Sequence, residues 1–247
     1  MRRHELSDAD WAAVRPLLPA RGPAGGDHRA FVNAVLYVLR TGVPWRDLPP
    51  RFGNWNSVWR RFRRWSAAGV WGRVLEAVRD PDVSTLILDS TVVRAHPHAA
   101  GAGKKAGDQA VGRSPGGFGT KVHAAVTGRG HPVALLLTPG QAGDGPRAAA
   151  LLAGHRPRVV IADRGYDSDA LRRLVRRLRA KAVIRPLGCR RRRVRYDRRV
   201  YRTRNVVERF WARVKQCRRV ATRYDKLDQC YLGFVHLASA LDVLRHP

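Results

Sequence analysis

Apolar positions recur in two periods, and the change of period divides the chain near residue 80. Before that point the spacing is helical. Ser7 stands as a cap for a first helix, with Asp10 three residues on, and Trp11, Val14 and Leu18 mark its buried side. Asp27 caps a second helix through Thr41, apolar at Phe31, Val35, Leu36, Val38 and Leu39, and Gly42 is placed to end it. A third helix is predicted over 54–68, with Trp55, Trp59, Phe62 and Trp65 as its apolar seam. Arg60, Arg61, Arg63 and Arg64 face the other way. A fourth helix follows over 70–78. The stretch DPDVS at 80–84 is the expected boundary between a helical domain, 1–80, and a second domain, 81–247.

Beyond residue 84 short apolar runs predict strands over 85–88, 121–127, 132–138, 158–162 and 182–184. The second and third are joined across Gly128-Arg129-Gly130, a hairpin signal. Helical spacing is expected from residue 143 or 144 to 153, over 168–181, over 201–219 and over 229–244. This alternation makes the second domain α/β. Residues 99–117, rich in Gly, Ala and Lys, read as a loop. No run of eighteen apolar residues predicts a membrane span, and the first residues carry no apolar core of a signal peptide.

Charge changes the picture. Of 247 residues, 48 are basic and 19 acidic, a net +29, which calls for a polyanion. Residues 181–223 alone hold 17 basic against 2 acidic residues. The run Arg190, Arg191, Arg192 and Arg193 is either a solvated face or a phosphate-binding one, and it leads into the helix expected over 201–219. The basic third helix makes a helix-turn-helix reading available for the N-terminal region, against a small bundle with a solvated face. Three cysteines, Cys189, Cys217 and Cys230, have no metal-ligand spacing and fit a reducing, cytoplasmic compartment.

Acidic residues are few enough to weigh singly. Asp89 and Asp163 each close an apolar strand, where α/β folds gather ligands. Glu208 lies beside the apolar stripe Val207, Phe210 and Val214, sharing a face with Tyr201, Arg204 and Lys215. It serves either as a structural ion pair with arginine or as part of a metal site. Three carboxylates without Cys or His suit magnesium or manganese, and two such ions can clamp an in-line phosphoryl displacement. His96 and His98 lack a third soft ligand and read as loop or strand residues. Asp167 and Asp169 sit where helix caps belong, and Asp225 is placed to pair with Arg223 or Lys226.

Five stretches carry a resemblance: LILDSTVVRAH around Asp89, GGFGTKVHAAV, LLLTPGQAGD, IADRGYDSDAL around Asp163, and YRTRNVVERFWARVKQCRRVATRYDK around Glu208. Together they resemble insertion-sequence transposases of the DDE class, in the group named for insertion sequence five. The pattern Tyr-x2-Arg-x3-Glu-x6-Lys is whole, as Tyr201, Arg204, Glu208 and Lys215, and LRTGVPWRDLPPRFGNWNSVWRRFRRW is similar to that group's leader domain. The resemblance covers nearly the whole chain.

It implies a ribonuclease-H-like catalytic domain, a mixed sheet with flanking helices, preceded by a small all-α helix-turn-helix-like domain. It implies that Asp89, Asp163 and Glu208 are catalytic and hold two Mg²⁺ or Mn²⁺ ions. The implied activity is cutting double-stranded DNA at terminal inverted repeats and joining the freed 3′-hydroxyls to a target. A homodimer in the active complex and a bacterial, nucleoid-associated setting follow by the same analogy. Arg204 and Lys215 would grip phosphates, and Tyr201 would hydrogen-bond a phosphate or pack on a base. The alternatives are a decayed, non-catalytic DNA-binding protein and an RNA-binding protein of ribosomal type. The tryptophan-rich core argues against the last.

Overall fold

The computed structural model describes residues 4–19, 27–99, 107–191 and 194–246. The chain begins with helices α1 (Asp8–Val14), α2 (His28–Thr41), α3 (Trp55–Ala67) and α4 (Val70–Val78). Strands β1 (Thr85–Ala95), β2 (Gly112–Ser114), β3 (Gly117–Thr127) and β4 (Pro132–Pro139) follow. Then come α5 (Ala148–Leu152), β5 (Val159–Ala162), α6 (Asp169–Arg177) and β6 (Lys181–Ile184). The chain ends in α7 (Arg198–Tyr201), α8 (Asn205–Val214), α9 (Arg218–Ala221), β7 (Thr222–Arg223) and α10 (Asp228–Arg245). No helix among the described residues is long and apolar enough to cross a membrane.

Two compact units emerge; the first break, between Val78 and Arg79, lies near the expected 80/81 boundary, and later segments return to the first unit. One comprises Met1–Val78, Arg94–Gln109 and Arg213–Pro247, and the other Arg79–Val93 and Ala110–Ala212. The C-terminal helix thus counts with the N-terminal helices, because its apolar side is buried among their aromatic rings. Phe234 stacks on Phe62 with ring centroids 4.4 Å apart, and Phe62 in turn meets Trp71 and Trp45. Phe31, Trp65 and Trp71 complete this cluster.

The caps expected from the sequence form as hydrogen bonds. Ser7 Oγ accepts the Asp10 amide at 3.0 Å, and Asp27 Oδ1 accepts those of Arg29 and Ala30. Gly42 ends α2 at φ 76°, a left-handed conformation that suits glycine. Between α2 and α3 lie two 3-10 turns, Trp45–Asp47 and Pro50–Phe52, a longer link than the roughly three- to four-residue turn of a helix-turn-helix. On α3 the buried positions are Val58, Arg61, Phe62 and Trp65, while Trp55 and Trp59 are only half-buried. Arg61 is expected on the outer face, but helical rotation puts it three residues from Val58 and four from Trp65, on the inner one. It is 8% exposed, with its guanidinium over the rings of Phe31 and Trp65.

The second unit is built on a mixed sheet. The strand order is β2-β3-β1-β5-β6, with β4 also paired to β3. β1, β5 and β6 are parallel, whereas β2-β3 and β3-β4 are antiparallel. Parallel strands covered on both faces read as continuous apolar runs, as LIL in β1 and VVIA in β5 do. Leu86, Leu88, Val160, Ala162 and Ile184 form a core with Leu151 and Leu152 of α5 and Leu171 and Val175 of α6. β1 does not stop at Asp89 but continues to Ala95, whose last two residues pair with β7 in the helical unit.

The single helix expected over 201–219 is broken. Tyr201 ends α7, Arg204 ends a 3-10 turn over Arg202–Arg204, α8 starts at Asn205, and Lys215 lies in the turn after it. A 3-10 turn holds about three residues rather than 3.6, so the helical phase that put all four on one face is lost there. The stripe survives inside α8, where Val207, Phe210 and Val214 are buried, joined by Trp211.

Gly233 lies inside α10, where glycine costs helix stability, so a close approach must require it. A Cβ built there would fall 2.6 Å from Ser66 Oγ and 3.0 Å from Trp71 Cδ1. Gly233→Val is expected to destabilise the fold by about 1–3 kcal/mol through overpacking. Thermal melts followed by circular dichroism test this, and an unchanged melting temperature would refute it.

Candidate active site

Asp89 follows Leu86, Ile87 and Leu88, all fully buried, which fix its place in β1. β5 pairs with β1 in a register that sets Leu88 opposite Ala162. The next residues, Asp89 and Asp163, therefore stand at one level where that pairing ends, although 74 residues separate them in sequence. Asp163 caps the turn Arg164–Tyr166, its Oδ1 accepting the Gly165 amide at 2.9 Å. Its side chain is thereby held at the strand end by its own backbone.

Asp89 is 8% exposed. Its Oδ2 accepts from the Trp211 indole at 3.0 Å, and its Oδ1 from Arg204 Nη2 at 3.1 Å. Burial pushes its pKa up and the Asp163 charge adds to this, while Arg204 pulls the other way. The other arm of Arg204, Nη1, meets Glu208 Oε1 at 2.5 Å. Glu208, in the first turn of α8, is more than half exposed. The three acids thus belong to one unit, two side by side and the third linked to Asp89 through a guanidinium.

These residues offer oxygen donors only, which fits a hard divalent cation. Asp163 is near enough for its charge to help raise the pKa of Asp89, a repulsion that a cation relieves. Among the described residues no three or more of His, Cys, Asp and Glu are grouped to hold a metal, and Arg204 bridges Asp89 and Glu208. The donor chemistry fits, and the positive charge between the two acids is here supplied by arginine.

Other residues expected at the site are distributed as follows. Arg204 is expected on a phosphate, but two arms of its fork are engaged by carboxylates. Tyr201 is half-buried with its ring edge-on to Tyr196 at 5.3 Å. Lys215, Arg60, Arg61, Arg63 and Arg64 belong to the helical unit, and Arg60, Arg63 and Arg64 are exposed on α3. Arg191 is exposed, and Arg192 and Arg193 lie outside the described residues. His96 and His98 pack their rings together, with His96 also against Tyr224. Asp225 lies 3.8 Å from Arg219 Nη1, and its backbone carbonyl accepts from Arg223 Nε.

Sequence reasoning does not single out Trp211 or Asp144 as site residues. For Trp211 a signal exists, one position beyond Phe210 on the same stripe. Asp144 reads as a helix start, yet its side chain makes no cap. Its Oδ1 accepts instead from Ser90 Oγ at 2.7 Å and Lys121 Nζ at 3.0 Å.

Residues 80–241 match the family model described as "Transposase DDE domain". The chain belongs to the DDE transposases. Residues 6–75 match a second model, described as "Putative transposase of IS4/5 family". Over 128 residues, 51% of this chain and 98% of the relative, it is 41% identical to a "Putative transposase for insertion sequence element IS6501" of Brucella ovis. It is also 41% identical over 116 residues, 44% of this chain and 89% of the relative, to "Uncharacterized protein y4sN" of Sinorhizobium fredii. A third relative, the "Insertion element IS402 uncharacterized 16.2 kDa protein" of Burkholderia cepacia, is 37% identical over 124 residues, 43% of this chain and 82% of the relative. The group expected from the motifs agrees with the IS4/5 description of the model matched over 6–75.

Arg190 in this transposase is committed internally. Its Nε meets Asp167 Oδ2 at 2.6 Å and its Nη1 meets Asp169 Oδ1 at 2.7 Å. Asp167 also takes Arg172 Nε and the Leu187 amide, with its side chain fully buried, and the cap of α6 is Ser168. Burial pushes Asp167 up, but the hydrogen bonds from Arg190, Leu187 and Arg172 together hold its carboxyl below the usual carboxylate range. A depressed acid contributes stability above its unfolded pKa, and that stability is lost as pH falls through the folded value. Asp167→Ala is expected to cost about 3–5 kcal/mol at pH 7, leaving Arg172 without its acid and Arg190 with Asp169 alone. The gap to wild type should narrow below about pH 4, near the unfolded carboxylate value. Melting temperatures at pH 7 and pH 3 test it, and a gap independent of pH would refute the charge assignment.

Proposed function

We propose that this chain is a transposase that binds the terminal inverted repeats of an insertion sequence, cleaves them, and transfers the freed strands to target DNA. The observation that carries this reading is the side-by-side placement of Asp89 and Asp163 at adjacent parallel strand ends, with Glu208 tied to Asp89 through Arg204. Asp89, Asp163 and Glu208 would hold divalent cations, two Mg²⁺ or Mn²⁺ ions in the family analogy. When bound, they supply positive charge to the oxygens of an in-line phosphoryl displacement.

The reaction has two displacements at phosphorus. A water oxygen bonds to the phosphorus at the element end while the P–O3′ bond breaks, leaving a 3′-hydroxyl. That hydroxyl then bonds to a target phosphorus, and the target's own P–O3′ bond breaks. Asp89 has the fixed place, since Trp211 orients one oxygen. Glu208 has freedom to adjust, being exposed at the start of its helix. Arg204 balances the two acids until DNA enters.

DNA binding is assigned to the N-terminal helices over 1–80, with α3 as the reading helix of a helix-turn-helix-like domain whose link from α2 is extended by two 3-10 turns. Its exposed arginines, Arg60, Arg63 and Arg64, support this, and Arg61 is kept as a packing residue. Tyr201, Lys215 and Arg191 are assigned to phosphates or bases nearer the cleaved bond. The active complex is read as a homodimer in the cytoplasm, on the nucleoid.

Asp89→Asn, Asp163→Asn and Glu208→Gln are each expected to abolish cleavage and joining while leaving end binding nearly intact. The assay is cleavage of a labelled terminal-repeat duplex in magnesium, beside a binding assay on the same proteins. Undiminished cleavage by all three variants would overturn the catalytic reading in favour of a non-catalytic DNA-binding protein.

Arg60, Arg63 and Arg64 changed together to alanine should weaken binding across sequences. If each contacts a phosphate, the slope of log affinity against log salt should flatten by roughly 0.9 per residue. An unchanged slope would make the basic side of α3 a solvated face only.

A further inference from the structure

Three of the motifs that mark the family contain polar residues with no part in the proposed reaction. They are Ser90 in LDST, Lys121 and His123 in GTKVH, and Asp144 in LLLTPGQAGD. The structure brings all four together. Asp144 Oδ1 accepts from Ser90 Oγ at 2.7 Å and from Lys121 Nζ at 3.0 Å. Lys121 Nζ also donates to the Ala142 carbonyl at 2.7 Å. His123 Nδ1 lies 3.7 Å from the same Asp144 oxygen, and its Nε2 contacts Thr138 Oγ1. Burial drops the His123 pKa to about 4, so it stays neutral, and Lys121 is the cation of the group.

The group adjoins both aspartates of the centre. Ser90 is the residue after Asp89. On the other side, a Cβ built on Gly165 would lie 3.1 Å from Asp163 Oδ1 and 3.2 Å from Asp144 Oδ2, so the two carboxylates flank that glycine. Tyr166, buried next to it, has its pKa pushed up by burial, with the charges of Asp144, Asp89 and Asp163 adding to the effect. The hydrogen bonds from Ser90 and Lys121 both reach Oδ1, so the carboxylate is anchored through that one oxygen.

We propose that Asp144 is a positioning residue of the centre, pairing with Lys121 and holding Ser90, so that the β1 segment bearing Asp89 keeps its place beside Asp163. The inference rests on the reading of Asp89 and Asp163 as the reacting centre. Its physical content is a cross-link. One carboxylate ties β1 to β3 and to the loop after β4, and abuts the turn that follows β5. The charge matters as well as the bonds. Without it the Lys121 ammonium has only neutral acceptors beside the acids, which degrades the electrostatic setting that Asp89 and Asp163 share. Supporting residues of this kind are worth roughly 10- to 100-fold in activity when removed.

The test uses the full-length protein and the variants Asp144→Asn, Asp144→Glu, Lys121→Gln and the double Asp144→Asn/Lys121→Gln. Asp144→Asn is nearly isosteric and retains an acceptor, so it isolates the charge. It should lower kcat for cleavage about 10- to 100-fold with KM little changed. Asp144→Glu and the double variant should recover part of the loss, the double because it removes charge and countercharge together. A second readout needs no cleavage: amide hydrogen exchange of peptides spanning 86–92 should quicken in Asp144→Asn while the rest of the chain exchanges as before.

Wild-type kcat and unchanged exchange in Asp144→Asn would overturn the proposal. Faster exchange throughout, with a fall in melting temperature and no recovery in the double variant, would mark a merely structural residue and overturn it too. Asp163→Asn assayed alongside separates the two readings. If it is dead while Asp144→Asn cleaves normally, only the positioning role fails; if it too cleaves normally, the catalytic reading fails.

Discussion

The sheet unit is organised by the cost of keeping two carboxylates side by side at the end of two buried strands. Neither can be moved apart, because the register of Leu88 on Ala162 is set by apolar side chains that fill the core. A slip of one residue would turn that whole row to the wrong face. The repulsion between Asp89 and Asp163 is therefore built into the strand pairing, and burial of Asp89 sharpens it. The surroundings answer it with Arg204 and the Trp211 indole on Asp89, and a backbone amide on Asp163. Such an arrangement costs stability, since well-packed apolar residues would fill the same space with less strain on the fold.

Much of this was legible in the sequence, for identifiable reasons. Caps at Ser7 and Asp27 are local, so the residues that make them also announce them. The apolar runs LIL and VVIA announce buried parallel strands, and the acids that follow them mark where the β1–β5 pairing ends. What the sequence could not show was pairing at long range. Nothing local says that Arg204 reaches Asp89, 115 residues away, or that Asp144 reaches Ser90, 54 residues away. The break at Tyr201–Arg204 was hidden for a different reason: no proline or glycine marks it, and a 3-10 turn uses ordinary helix-forming residues.

Arginine is the most misleading residue type. Counting basic residues treats each as available to DNA, yet many are engaged inside the fold. Arg61 covers aromatic rings, and Arg190 and Arg172 clamp Asp167. Arg213 forms a two-pronged bridge to Asp242, and Arg219 donates to the Val43 carbonyl. The same properties that suit guanidinium to phosphate, a planar fork and weak hydration, suit it to buried carboxylates and ring faces. A net charge of +29 states that the molecule seeks a polyanion, but not which arginines meet it.

The two uses of arginine converge at Arg204. Its fork has the geometry for a phosphate, and in the structure it is occupied by two carboxylates that would otherwise repel. A polyanion arriving at the centre brings more negative charge into a place already short of compensation. Either the guanidinium turns to the phosphate, or further positive charge comes in with it. The Asp89 contact is part-buried and harder to release, whereas the Glu208 contact is exposed and screened by water. The weaker side of the bridge is thus the one on α8, which leaves Glu208 as the member of the three acids best able to change partners while Asp89 stays fixed.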